Sequence, residues 1–359
     1  MSAQMNPRSS TDPQTPRTPA RTMTAFVIDA YKAPMHEAEV PTPTVGDHDV
    51  LVRVQAAGVN QLDAGIRDGR FRQILPYRLP QILGNDLAGT VVQVGAKVDR
   101  FAPGARVYGR PDKDRIGTFA EELAVDQADL AAVPESITIE EAASLPLVAL
   151  TAWQAFVEIA DVRPGQTVLI HGGAGGVGSI AIQLAKHLGA IVATTASASN
   201  ADYVRALGAS LVIDYRSQDF EQELHDVDVV LDSLGGETLE KSIRIVRPGG
   251  RVIGIAGPPD PGFARQLGAG VPLRLAMRAL SSGVRRRARR RRVEYSFLFM
   301  RADGGQLQRI TELVDAGIIT PQVGRVFPFA ETPEALAALE RGGIRGKVVV
   351  SGKDRTRAA

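Results

Sequence analysis

The chain of 359 residues contains no cysteine. That absence excludes disulfides, thiolate nucleophiles and any zinc site that needs sulfur, and it suits a reducing compartment. No apolar stretch approaches the roughly 20 residues needed to span a bilayer, so membrane insertion is not expected. Residues 1–22, MSAQMNPRSSTDPQTPRTPART, have no apolar h-region, so no secretory signal is expected in them. Pro7, Pro13, Pro16 and Pro19 would break the amphipathic helix of an organellar transit peptide. This stretch is expected to be a disordered tail, with the fold starting near Met23 and the protein residing in the cytoplasm. No nucleophile-elbow pattern occurs, so a Ser–His–Asp hydrolase is excluded.

What is present is ordinary for a soluble globular protein: 44% hydrophobic and 23% charged residues. The length suffices for two domains with a substantial core. The net charge of +2 hides an asymmetry, because seven arginines occupy positions 285–287 and 289–292. Without them the remainder is mildly acidic. A general nucleic-acid binder spreads its basic residues over a face, whereas here they form one patch.

From Ala25 to about Val133 the pattern is one of short strands and turns. DVLVRVQAAGV (49–59) alternates as a half-buried strand does, and LAGTVVQVG and GARVYG are further strands bounded by Gly and Pro. Helical content is expected to be low. The texture changes near residue 140, where Thr138 and Glu141 are spaced for a capping box. Strands TVLIHGG, IVATTA, LVIDY, DVDVVLDSL and GGRVIGIAG then alternate with helices, predicting βαβ units and a parallel sheet. GRVFPFA and GKVVVSG regain the β texture, so the C-terminus is expected to return to the first domain. The fold class is α/β, a β domain joined to a doubly wound parallel sheet.

The most specific stretch is TVLIHGGAGGVGSIAIQLAKHLGA (167–190), with Gly173-x-Gly175-x-x-Gly178 between an apolar strand and a helix. The first glycine permits the tight turn, the second lets backbone approach a pyrophosphate, and the third lets helix and strand pack closely. The helix N-terminus then holds the phosphates. A plain βα turn is the alternative, but the strand–turn–helix setting favours dinucleotide binding. At the end of the next strand, TTASASNADY offers Ser197, Ser199 and Asn200 and no acid before Asp202. A carboxylate there would bind a ribose 2′-OH; hydroxyls and an amide suit a 2′-phosphate, which points to NADP. The same residues also serve as helix caps.

With GVNQLD, LGNDLAGTVVQVG, TAWQAF and HGGAGGVG in this order, the chain resembles the medium-chain dehydrogenase/reductases. It is most similar to their zinc-independent quinone oxidoreductase, or zeta-crystallin-like, branch, over roughly residues 23–352. The resemblance implies a GroES-like catalytic domain from residues 23–147 and 302–352 around a Rossmann domain at 148–301. It implies a site in the cleft between them and a homodimer or homotetramer. Zinc-dependent members carry Cys and His ligands where this chain has Asn60 and Asn85 with Asp86, so no metal is expected. Asp63 and Asp86 are expected to tie loops by hydrogen bonds. The activity implied is NADPH-dependent reduction of a quinone or enone, acceptors that delocalise negative charge without a Lewis acid.

The resemblance also carries site residues. Asn60 falls beside the nicotinamide, as a substrate contact or as a buried turn residue. Thr151 is expected to contact cofactor or to bond within its own helix. Ala174, Gly175, Gly176, Val177 and Gly178 should line the pyrophosphate, with Ser197 and Asn200 at the adenosine ribose. Tyr215 should lie near the adenosine phosphate or be a surface aromatic. Gly254 and Ala256 should pass the nicotinamide ribose, and the backbone of Phe297 to Phe299 should meet the carboxamide. Arg345 and Lys347 match a cofactor-contacting stretch, against the plainer reading of surface charges flanking a strand. No general acid is assigned; His171 is expected to be structural, and the proton is left to water or the cofactor ribose hydroxyl. A different class of reading is an RNA-binding or cofactor-sensing protein on the same fold, since zeta-crystallin-like proteins can also bind RNA. The arginine run lacks interleaved aromatics for base stacking, so such binding would be electrostatic. The run itself is expected to be a solvated connector before VEYSFLFM, the last strand of the Rossmann sheet, with no part of it buried.

Overall fold

In the computed structural model residues 21–352 are described. The expected disordered tail lies outside the described residues up to position 20. Its boundary moves slightly, because Arg21 pairs with Glu122 at 2.5 Å and Thr22 already opens the first strand.

Short alternating segments give the β-rich half: β1 (Thr22–Ile28), β2 (His36–Pro41), β3 (Asp49–Val59) and β4 (Gln81–Ile82). β5 (Asp86–Val94), β6 (Arg106–Gly109), β7 (Glu122–Asp126) and β8 (Leu130–Ala132) complete it. Helical content is low as expected, but α1 (Gln61–Arg67) follows β3 directly, its start fixed by Asn60 N donating to Asp63 Oδ2 at 2.7 Å. The capping box forms at α2 (Ile139–Ala143): Thr138 N donates to Glu141 Oε2 at 2.8 Å and Glu141 N to Thr138 Oγ1 at 3.2 Å. The helical stretch then breaks at Pro146, which starts α3 (Pro146–Trp153), and widens into a π-type turn over Gln154–Ile159.

The second half is built on six parallel strands. These are β9 (Thr167–Ile170), β10 (Ile191–Ala196), β11 (Leu211–Asp214), β12 (Val227–Asp232), β13 (Val246–Gly254) and β14 (Glu294–Phe297). Their order is β11-β10-β9-β12-β13-β14, a doubly wound sheet whose sequence reverses between β9 and β12. The crossover helices are α4 (Gly176–His187), α5 (Ala201–Leu207), α6 (Phe220–Glu223) and α7 (Gly236–Ile245). They cover both faces, which is why TVLI and VDVVLD read as near-continuous apolar runs and are buried almost throughout.

Three helices follow β13: α8 (Pro261–Gln266), α9 (Val271–Leu280) and α10 (Ser282–Arg290). The arginine run is therefore not a wholly solvated connector. Val284 and Ala288, four residues apart, put one face of α10 into the core beside Val252 and Tyr295. The arginines take the rest of the circumference. After α11 (Gly304–Asp315) come β15 (Val323–Phe327), α12 (Thr332–Arg341) and β16 (Lys347–Ser351). β16 lies antiparallel to β3, pairing Val348 with Val59 and Val350 with Ala57, so the C-terminus returns to the first sheet.

Candidate cofactor and substrate site

β9 delivers the chain to the carboxyl edge of the parallel sheet, beside the point where strand order reverses. Ligands of open α/β sheets bind in such crevices. The left-handed step of the turn falls at Gly172, with φ +69°, one residue earlier than the motif spacing assigns it. Gly173 is required instead by packing, since a Cβ there would lie 2.2 Å from Thr194 Oγ1. At Gly178 a Cβ would lie 2.3 Å from the Gly172 carbonyl oxygen, the close helix–strand approach expected of the third glycine. Gly175 is open, with nothing nearer than Gly172 O at 3.4 Å from an added Cβ. Gly175 is the N-cap of α4 and supplies no side-chain cap, leaving the first-turn N–H groups without a side-chain acceptor. An uncrowded glycine at an uncapped helix N-terminus fits a pyrophosphate.

Three consecutive residues of the C-terminal segment join this turn to the β half. Gly346 N donates to Ala174 O at 2.9 Å. Arg345 reaches one way: its Nε donates to Asn200 Oδ1 at 2.6 Å and its Nη2 to Ser199 O at 2.8 Å. Lys347 reaches the other way, its stem crossing Gly176, where an added Cβ would lie 2.8 Å from the lysine Cδ. Lys347 is buried, contrary to the surface-charge alternative. Its Nζ donates to Val59 O at 3.0 Å, Asn60 Oδ1 at 2.5 Å and Asp86 Oδ2 at 3.1 Å.

Asp86, with no exposed surface, accepts two further bonds, from Asn60 Nδ2 at 2.9 Å and from Leu147 N at 2.8 Å in the first turn of α3. Asn60 is thus fully engaged: the second hydrogen of its amide goes to Gly58 O at 3.3 Å and its oxygen to Lys347. In this geometry it is a buried positioning residue with no spare donor. Asp63 accepts from Asn60 N and, at 2.7 Å, from Asn85 Nδ2. Both aspartates tie loops, as the sequence reading expects. Burial pushes the Asp63 carboxyl up to about 6. Asn85 Oδ1 in turn accepts a long 3.4 Å bond from the buried Arg110.

Most of the remaining expected contacts follow the carboxyl ends of β10, β11, β13 and β14. Thr151 is buried and donates its hydroxyl to Leu147 O at 2.7 Å, the bond within its own helix. Ser197 Oγ lies 3.0 Å from Ser199 Oγ and accepts from Asn200 Nδ2 at 3.1 Å, forming one polar loop with Arg345. Tyr215 is 59% exposed just past β11, with the Arg216 guanidinium 5.8 Å from its ring centre. Gly254 ends β13 opposite Phe297 of β14, and Ala256 follows, exposed. Two N–H groups of the Phe297–Phe299 stretch are already engaged: Phe297 N with Asp260 Oδ2 and Leu298 N with Gly254 O. The Phe297 and Phe299 rings pack on Phe263, at 5.1 and 5.4 Å between centroids. His171 is buried between Thr195 and Ser242 hydroxyls, and burial lowers it to about 4, so it is a neutral structural imidazole. Sequence reasoning missed the Lys347–Asp86 pair and Arg110. The available signal was a lysine opening the buried run VVV, an arrangement that demands a partner.

The fold and this crevice define a two-part dehydrogenase, a GroES-like β domain seated on a dinucleotide-binding sheet. Comparison with known proteins agrees. A family model described as an alcohol dehydrogenase GroES-like domain matches residues 46–135, and one described as a zinc-binding dehydrogenase matches 207–350. The mitochondrial NAD(P)H oxidoreductase RTN4IP1 of Danio rerio is 34% identical over 85% of this chain and 84% of its own. A chloroplastic NADPH-dependent alkenal/one oxidoreductase of Arabidopsis thaliana is 32% identical, over 88% of this chain and 75% of its own. The solved quinone oxidoreductase of Coxiella burnetii superposes with a TM-score of 0.81 at 30% identity, covering 93% of this chain and 100% of that one. The chain belongs to the medium-chain dehydrogenase/reductase family, in its quinone oxidoreductase branch, and is an oxidoreductase that uses a nicotinamide cofactor.

The zinc named in one family description does not fit these residues. The ligand positions hold the neutral amides of Asn60 and Asn85, and the Asp86 carboxylate beside them is already taken by the Lys347 ammonium, Asn60 Nδ2 and Leu147 N. Among the described residues no group of three or more His, Asp or Glu side chains could hold an ion.

Proposed function

We propose that the protein is an NADPH-dependent reductase that delivers hydride to a quinone or an α,β-unsaturated carbonyl. The single observation that carries this reading is the seam at Arg345–Lys347. It couples an acid-free loop of Ser197, Ser199 and Asn200 to a site whose metal-ligand positions hold the amides of Asn60 and Asn85, with the neighbouring Asp86 carboxylate bound to the Lys347 ammonium. When bound, NADPH supplies the hydride. The chain supplies placement: Ala174 to Gly178 for the pyrophosphate, and Ser197, Ser199, Asn200 and Arg345 for the 2′-phosphate, whose charge the guanidinium complements. Thr151, Tyr215, Gly254, Ala256, Phe297 and Phe299 complete the proposed cofactor surround. Asn60 acts through position, locked by Lys347 and Asp86 in the wall.

With no Lewis acid built into that wall, the acceptor must spread charge itself. Addition of hydride to the β-carbon of an enone moves the π electrons onto oxygen, and a water proton then saturates the α-carbon. The relatives named above act on NAD(P)H and, in one case, on alkenals and enones, which supports the reading. An NADPH oxidation screen against quinones and enones, with NADH as control, tests it. Turnover with at least one acceptor, faster with NADPH, is expected; no binding and no oxidation with either class would overturn it.

The division into residues 23–147 with 302–352 and 148–301 belongs to the same proposal, supported by β15 and β16 joining the first sheet. So does a homo-oligomer formed along β14, the edge of the parallel sheet, which light scattering on the purified chain would test.

A further inference from the structure

The three helices between β13 and β14 carry a surface that contains none of the proposed cofactor contacts. α9 is apolar on two opposite sides. Its Leu273 and Met277 side packs inward against Phe263, while Val271, Leu275 and Ala279 form a second stripe that faces solvent. Val271 and Leu275 are 64% and 58% exposed. α10 lies beside it and turns Val284 and Ala288 inward, which sends Ser282, Arg286, Arg289 and Arg290 outward. Between the two helices runs a groove of about 620 Å³ whose lining includes Leu275, Arg278, Arg285, Arg286, Arg289 and Arg290. No carboxylate lines it. Of the run, Arg287 pairs with Glu240 at 2.7 Å, and Arg285 and Arg291 bond to neighbouring backbone carbonyls. Among the described residues, Arg278, Arg286, Arg289 and Arg290 have no ion-pair partner.

We propose that this α9–α10 face docks on an anionic phospholipid surface. Charge complementarity argues for an anionic partner, because five arginines converge on a groove free of acids while the rest of the chain is mildly acidic. That distribution orients the molecule with this face toward a negative plane. The apolar stripe argues for lipid over nucleic acid. Exposed aliphatic side chains flanked by arginines match the interfacial geometry in which apolar groups enter the acyl boundary and cations sit at the headgroups. Nothing on the face offers an aromatic for base stacking. Docking is peripheral, since no helix among the described residues is long and apolar enough to cross a membrane.

The test is co-sedimentation of the full chain with vesicles of phosphatidylcholine mixed with phosphatidylglycerol, against pure phosphatidylcholine. Binding is expected to the mixed vesicles alone and to weaken as salt rises. The triple variant R286Q/R289Q/R290Q should weaken it by about tenfold or more. Leu275→Gln should weaken it severalfold, with melting temperature and NADPH oxidation of soluble acceptors unchanged in both variants. Absence of binding to anionic vesicles at low salt would overturn the proposal. So would binding unaffected by Leu275→Gln, tighter binding to a single-stranded RNA oligonucleotide, or a change of oligomeric state in Leu275→Gln, which would seat a second copy there. Failure here leaves the reductase reading intact, because the acceptor screen uses no vesicles.

Discussion

Lys347→Met is the most telling single substitution, because it deletes the charge that neutralises the buried Asp86 carboxylate, from a side chain whose stem also crosses the glycine turn at Gly176. The ammonium and the Asp86 carboxylate lie 3.1 Å apart and are almost entirely buried. At an effective dielectric of about 20 their attraction is about 5 kcal/mol. Methionine replaces the stem across Gly176 but leaves the Asp86 charge with only the Asn60 and Leu147 donors. Stranding a buried charge costs about 3 to 5 kcal/mol, and those two remaining donors place the expected loss near the lower end. Asp86→Asn should cost a comparable amount, by stranding the ammonium. The double variant Lys347→Met/Asp86→Asn carries neither charge, so its loss should fall short of the summed singles by about 2 kcal/mol. Urea denaturation followed by circular dichroism reads all four proteins, with equal denaturant slopes as the condition for comparison. Strictly additive losses, or a Lys347→Met loss below about 1 kcal/mol, would refute the buried-pair argument.

Three further outcomes follow from the same geometry. His171 is held neutral by burial, with a value of about 4 against an ordinary 6.5, so the unfolded chain takes up the proton first as acid is added. Its contribution is complete above pH 6.5 and is lost as pH falls toward 4, about 3 kcal/mol in all. The stability gap between wild type and His171→Gln should narrow by that amount between pH 7 and 4, and a constant gap would contradict it. Reading the gap matters because Asp63, raised to about 6, acts oppositely, favouring the fold at low pH and losing that advantage as pH rises through 6. Gly178→Ala must push a Cβ against the Gly172 carbonyl, so NADPH affinity by fluorescence titration should fall at least about tenfold. Arg345→Gln should raise the KM for NADPH by about tenfold and leave that for NADH nearly unchanged; equal effects on both would remove the arginine from the 2′-phosphate.

Much of this was legible in the chain. Periodicity located the strands, and the Thr138–Glu141 box marked a helix start that forms as read. The glycine spacing found the tight turn between β9 and α4, although the left-handed residue is Gly172, because spacing cannot tell a positive φ from a packing requirement. Long-range pairing is what the sequence hid. Lys347 and Asp86 are far apart in the chain, and only the return of β16 onto β3 brings the ammonium to the carboxylate. The arginine run misled for a local reason: seven like residues drew attention from Val284 and Ala288, the two that decide how the helix packs. Asn60 shows a third limit. Its residue type and place were readable, but whether its amide was free depended on Gly58, Asp86 and Lys347 together.

The most direct test of the central claim is where the hydride goes. NADPH deuterated at C4 on the transferred face, turned over with an enone, should give a saturated ketone with deuterium at the β-carbon by mass spectrometry and NMR. Deuterium at the carbinol carbon of an unsaturated alcohol would mean direct carbonyl reduction and would contradict the account.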